Sequence, residues 1–267
     1  MVTKRVLVVV KTYPHPSRNY QELVCTAGML EDGSFIRLYP VDYRYRPAHQ
    51  WYDKYQWVEV DVTRKSSDPR PESYRPNLDS IRLVGQPLPT RNEWAERKKI
   101  VLAKPVKTMC ELRSIYCQDY TSLGIVRPHR IVDLCVKAVA REWKQSHQNA
   151  LAQINLFDQV KKPLQKIPYK FSYHFFCDDS RCKGHTMRIT DWELGVLFLK
   201  EVKRLGDEPK AVNSVKQMFF DNLCGSDKDT HFFVGTTLPH NSWIVLGVFY
   251  PKKDAAPSGT AQIALDF

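Results

Sequence analysis

Nowhere in its 267 residues does the chain hold an apolar run approaching the roughly 20 residues that a helix needs to cross a bilayer; the longest, Val6–Val10 and Trp243–Tyr250, are far shorter. No amphipathic basic helix accompanies the aromatic stretches either, so neither a spanning nor a surface-bound membrane protein is expected. The opening MVTKRVLVVVK lacks a small-residue cleavage site and reads as a strand, which makes the cytoplasm the expected location. There is no phosphate-cradling glycine loop, no G-x-S-x-G elbow and no H-E-x-x-H, so nucleotide hydrolysis, serine hydrolysis and zincin proteolysis have no positive support. Cysteine is sparse and odd in number: seven residues, at 25, 110, 117, 135, 177, 182 and 224, form no even disulfide framework and read as reduced thiols or metal ligands. Acidic residues are in deficit, 29 against 40 basic ones, and the net charge of +11 favours a polyanionic partner.

The 43% hydrophobic residues can bury a full core, in one large domain or two small ones. Residues 1–86 predict β structure, because Val6–Lys11, Glu22–Leu30, Ser34–Val41, Gln56–Thr63 and Ile81–Val84 are rich in β-branched, aromatic and alternating residues. Five strands predict a small barrel of OB or similar type. Glu31-Asp32-Gly33 marks a tight turn between the second and third strands. The proline-bearing segments 42–55 and 64–79 read as long surface loops.

Residues 87–252 predict a mixed α/β domain, so the fold class is α+β. Thr90-x-x-Glu93, Thr108-x-x-Glu111 and Thr190-x-x-Glu193 read as capping boxes that open helices. Strands are expected at 130–137 and 169–176, helices at 148–157, from 190 to Gly206 and from 211 to before Gly225, and a closing hairpin at 230–236 and 242–250. Residues 253–267 read as a flexible tail.

The densest chemical signal is RLYPVDYRYRPAHQWYDKYQW. Here Arg37, Arg44, Arg46 and Lys54 interleave with Tyr43, Tyr45, Trp51 and Tyr52, while Lys11 and Arg18 extend the set. Rings offer stacking faces to unpaired bases and cations meet phosphates, so the stretch reads as a binding platform for DNA or RNA, single strands favoured. The plainer reading is that half of these rings pack the barrel.

A second cluster, YHFFCDDSRCKGH, sets Cys177, Cys182 and His185 within nine residues, with His174 three before the first cysteine. Thiolate and imidazole are the ligands that tetrahedral zinc prefers, and Gly184 suits the bend between them. The expectation is a structural Zn2+ with His174 as the local fourth ligand and Cys224, His231 or His240 as distant alternatives. Two ordinary cysteines and a surface histidine make the competing reading. Asp191 and Glu193 would give a hydrolytic site if they met the metal; helix-start capping is their duller role.

The last six residues, Gln262-Ile263-Ala264-Leu265-Asp266-Phe267, resemble the short peptides by which bacterial replication and repair proteins dock onto the sliding clamp. The resemblance implies that Gln262 enters a polar site and that Leu265 and Phe267 fill an apolar pocket. The sequence therefore points first to a nucleic-acid-binding protein of genome maintenance or defence. A metal-dependent nuclease and a protein-interaction module are the alternatives.

Overall fold

The computed structural model describes all residues except 18–19, 65–66, 153–162, 239–240 and 254–267. In chain order it holds β1 (Val2–Lys11), β2 (His15–Ser17), β3 (Gln21–Leu23), β4 (Thr26–Met29), β5 (Phe35–Leu38), β6 (Trp57–Arg64), β7 (Ser73–Pro76) and β8 (Arg82–Val84). Then follow α1 (Arg91–Val101), α2 (Met109–Asp119), β9 (Leu123–Val126), β10 (Pro128–Ala138), α3 (Gln145–Leu151), β11 (Tyr169–Cys177) and β12 (His185–Arg188). The chain continues through α4 (Trp192–Leu205), α5 (Glu208–Lys216), β13 (His231–Thr237) and β14 (Ser242–Phe249).

The fold is α+β, with a closed five-stranded barrel in the N-terminal region and a mixed α/β domain after it. The strand order β1-β4-β5-β7-β6 closes through pairing of β1 with β6, while β8 pairs with Trp57–Glu59 at the start of β6, β7 taking Val62–Arg64 at its end. Closure removes the edges that would otherwise recruit other strands. The β4–β5 hairpin forms where the turn signal stands, with Gly33 at φ +75°. One staves differs from expectation: the fifth is β7, inside a segment that its prolines mark as loop. Pro76 is tolerated at the end of a short strand, and Arg37 and Leu38 pair in parallel with Ser73 and Tyr74.

The run Val6–Val10 is wholly buried because it lies between two cores. Val6 and Val8 face the barrel interior with Ile36, Val58 and Val60, while Leu7 and Val9 face outward onto Leu123, Phe233 and Phe249. Alternate side chains of a strand point to opposite faces, so a strand buried on both sides carries an unbroken apolar run. The sheet β14-β13-β9 thus seats the second domain on the barrel wall.

A three-stranded sheet, β10-β11-β12, packs Phe171, Tyr173, Phe175 and Met187 beneath Leu194 and Phe198 of α4 and Val215 of α5. Burying each such side chain stabilises the fold by about 1.5–3 kcal/mol. Of the three expected capping boxes, only that of Thr108 forms, with Oγ1 accepting from Glu111 N–H at 3.1 Å and Glu111 Oε2 accepting from Thr108 N–H at 2.6 Å. At Thr90 the backbone of Asn92, Glu93 and Trp94 takes positive φ and no cap bond is made. Asp191, not Thr190, caps α4, its Oδ1 accepting from Glu193 N–H at 2.7 Å. The described part of the helix expected at 148–157 begins earlier, at Gln145, and its remainder lies outside the described residues. No helix among the described residues is long and apolar enough to cross a membrane.

Candidate metal centre and the surfaces around it

Two stretches of chain, residues 177–185 and the start of α2, bring four candidate ligands together. Cys177 is the last residue of β11, Cys182 sits in the following turn, and His185 opens β12 opposite Phe175. Gly184, at φ +88°, makes the bend, and its N–H lies 3.4 Å from Cys182 Sγ. The fourth group is Cys110, second residue of α2, delivered by the Thr108 capping box and by burial of Met109 and Leu112. The helix start aims its partial positive charge toward the sulfurs, which favours thiolate.

The ligand atoms of Cys110, Cys177, Cys182 and His185 lie within 4.8 Å of one another, so the group could hold a metal ion. His185 Nε2 stands 3.7, 3.4 and 3.3 Å from the sulfurs of Cys110, Cys177 and Cys182, and the first two sulfurs are 3.6 Å apart. Bonds of about 2.3 Å to sulfur and 2.0 Å to nitrogen give tetrahedral edges of roughly 3.5–3.8 Å, close to these distances. Without a cation the thiols hinder one another's ionisation: loss of water, then the hydrogen bond to Cys177, push Cys110 up to about 12. Burial acts to raise Cys182 as well, but backbone N–H groups around Cys177 and Gly184 hold it below the usual thiol value. Burial, with Arg113 nearby, lowers His185 and keeps its ring neutral, the form that ligates.

His174 does not join this group. It points to the opposite face of β11, its Nδ1 is 3.3 Å from Thr186 Oγ1, and its ring rests on Phe176. The alternation of a strand explains the correction, since Cys177 is an odd number of residues away. Cys224 and His231 are engaged elsewhere, with the carbonyls of Phe219 and Asp229; His240 lies outside the described residues.

Part of the aromatic and basic stretch is core, as the plainer reading has it, and part lies at the surface. Tyr52 and Arg37 are buried, the latter donating to Ser73 Oγ and Ser122 Oγ at 3.1 and 2.8 Å. Tyr43 is also buried, and Lys11 donates to Tyr43 OH at 3.2 Å and to the Tyr52 carbonyl at 3.3 Å, over the rings of Tyr43 and Trp192. Burial lowers the Lys11 pKa to about 8. Lys54 donates to Asp191 Oδ2 at 2.6 Å and Glu193 Oε2 at 3.0 Å; burial would lower its pKa, and Asp191 together with Glu193 holds it above the usual value. Arg44 pairs with Glu22, and Arg46 with Asp42 and Asp79. Tyr45 is half-buried, and Trp51 is exposed with its indole N–H donating to the Arg46 carbonyl. Arg18 lies outside the described residues. This stretch is the joint between barrel and α4. Asp191 Oδ1 accepts the cap bond and Oδ2 the Lys54 ammonium, and Asp191 is not among the four side chains grouped at the candidate metal centre.

A different surface collects the cations. The outer face of β10-β11-β12 sets Arg130 opposite Phe176, Asp133 opposite His174, Cys135 opposite Ser172 and Lys137 opposite Lys170. On the far side, Thr186 pairs with His174 and Arg188 with Ser172. The Arg130 guanidinium lies 4.8 Å over the Phe176 ring, and Asp133 is held by Lys216 at 3.0 Å. Like charges directly opposite on a sheet are destabilising, and Lys137 with Lys170 form such a pair.

Compared with known proteins, residues 105–265 match a family described as Domain of unknown function (DUF8757), and residues 2–103 match a second, Domain of unknown function (DUF8758). No curated protein matches the sequence. A solved structure described as a murine DNA binding protein bound with double-stranded DNA aligns over 96% of this chain and 98% of that one, at 11% identity and a TM-score of 0.32, a likeness too slight to carry an argument.

Proposed function

This chain belongs to the DUF8757 family, and we propose that it is a nucleic-acid-binding protein whose contact surface is the open face of β10-β11-β12, braced by a structural zinc ion. The carrying observation is Lys137 directly across from Lys170, in a face that also bears Arg130 and Arg188. A repulsive exposed pair is relieved when phosphates bind between the cations, with release of their counterions. His174 lies among these cations, and with the Arg130 guanidinium seated on Phe176 it offers planar groups to unpaired bases, which favours a single strand over a duplex. Open sheets with basic and aromatic residues are a common way of holding single strands.

Zinc is the ion that three sulfurs and one imidazole suit best, and four protein ligands make a closed, structural site. Holding β12 against β11, it keeps the outer face flat. Seven free thiols suit a reducing compartment such as the cytoplasm. The clamp-like tail with Gln262, Leu265 and Phe267 lies outside the described residues; docking to a sliding clamp is a separate proposal, tested by titrating clamp with full-length and tail-deleted protein.

The test is binding of labelled single- and double-stranded DNA and RNA over a salt series, for wild type and Lys137→Glu/Lys170→Glu. The expected result is salt-sensitive binding, tightest to single strands, weakened by at least about tenfold in the variant, with a shallower salt slope. Equal binding by both proteins would refute the surface, and absence of any salt-sensitive binding would refute the function.

A further inference from the structure

We propose that the open apolar cleft between the β4–β5 hairpin, the end of α1, α2 and β9 is a docking groove for residues 262–267 of this same chain. The proposal does not rest on the nucleic-acid reading of the outer sheet face.

The cleft encloses about 410 Å3. Half-buried Leu30, Phe35 and Tyr74 line it together with buried Leu123 and Ile125, and exposed Lys104 and Lys107 stand at its rim. Apolar walls left wet forgo about 25 cal/mol per Å2. A segment that recovers this needs apolar side chains on one face and an acid near the lysines. Residues 262–267 have that pattern. Ile263, Leu265 and Phe267 stand two apart, so on an extended backbone they share one face, while Asp266 is left at the mouth of the cleft for the long lysine side chains to meet. Charge agrees with shape: residues 254–267 carry Asp254 and Asp266 and no Lys or Arg, in a chain whose net charge is +11.

The path into the cleft is short. Asp229 N–H donates to the Pro251 carbonyl at 2.8 Å, Asp229 pairs with Arg127 at 2.8 Å, and Val126, next to Arg127, bridges to the rim residue Lys107. Ile125, one residue further, is already part of the lining. Nine residues, 254–262, separate Lys253 from Ile263. At about 3.3 Å each they reach up to about 30 Å, which exceeds a path made of these direct contacts. Leu265 and Phe267 cannot fill this cleft and the pocket of another protein at once, so the groove holds the segment back from other partners.

The test titrates a labelled peptide of residues 258–267 into two full-length proteins, wild type and Leu265→Asp/Phe267→Asp. In the variant the chain's own segment cannot enter the groove, which is left to the peptide. The variant should bind it with a Kd of about 0.1 mM or tighter, and wild type at least about tenfold more weakly, because a short tether presents the native segment at about 1 mM. Adding Lys104→Glu/Lys107→Glu to the variant should weaken the peptide about fivefold, the worth of an exposed ion pair, and a peptide with Asp266→Lys should recover the loss. Absence of binding to the variant, or equal binding by both proteins, would overturn the proposal. So would a difference between them that grows with protein concentration, since the occupant would then be the segment of a second copy.

Discussion

Lys54 Nζ lies 2.6 Å from Asp191 Oδ2, with both side chains buried, and this one pair joins the barrel loop to the first turn of α4 across 137 residues of sequence. A buried charge that loses its partner is costly, about 3–5 kcal/mol. Lys54→Met should therefore destabilise by roughly 3 kcal/mol, since Asp191 stays behind unpaired. Chemical denaturation of the two proteins measures it, and a loss below about 1 kcal/mol would show that Glu193 and water screen the pair.

Removing a metal ligand should act on stability and on metal content together. Cys110→Ser leaves the local Cys177, Cys182 and His185 set untouched, yet we expect metal to fall well below one equivalent and stability to drop by about 4 kcal/mol. Elemental analysis alongside thermal unfolding gives both values. Full metal retention in Cys110→Ser would confine the centre to the β11–β12 turn.

The depressed pKa of Lys11 carries a pH signature. The folded state releases this proton near pH 8 and the unfolded chain near 10.5, so between those values the unfolded state binds more protons and stability gains from rising pH. The contribution is absent below pH 8 and complete above 10.5. The difference in unfolding free energy between wild type and Lys11→Met should thus shift in favour of wild type from pH 8 to 10. A flat difference would show that the ammonium, held by Tyr43, Tyr52 and the Trp192 ring, keeps an ordinary pKa.

On the outer sheet face stability and binding should move in opposite directions. Lys137→Thr removes one partner of the facing lysine pair, so the free protein should gain a few tenths of a kcal/mol up to about 1. The same variant should bind nucleic acid more weakly. Denaturation midpoints set beside affinities at one salt concentration test the pairing of effects.

What the sequence made legible follows from local physics. Period-two alternation and the Glu31-Asp32-Gly33 turn located four staves of the barrel, and the Cys177, Cys182 and His185 spacing located three of the four side chains that could hold a metal. β7 was hidden because Pro71 precedes it and Pro76 ends it, and because the strand is too short to show alternation. Cys110 was hidden because nothing local links it to a turn 67 residues on; the one available signal was the Thr108 box, which places a cysteine at the positive end of a helix. The stretch around Tyr43 and Lys54 was ambiguous for a related reason. Tyrosines with interleaved cations look alike whether they face phosphates or, as Lys11 with Tyr43 and Lys54 with Asp191 do, meet partners at a buried joint. The outer face of β11 was visible in part as the alternation of Lys170, Ser172, His174 and Phe176, but its partners Arg130 and Lys137 appear only once the register is known.

The separation of Cys110 from its co-ligands also has a meaning in time. During synthesis at about 5–20 residues per second, His185 leaves the ribosome roughly 4–15 seconds after Cys110, 75 residues earlier in the chain. Through that interval the α2 thiol is a ligand without a site, open to oxidants and to whatever soft metal is at hand. On the proposed metal centre, maturation becomes a race that the supply of free metal and reductant decides.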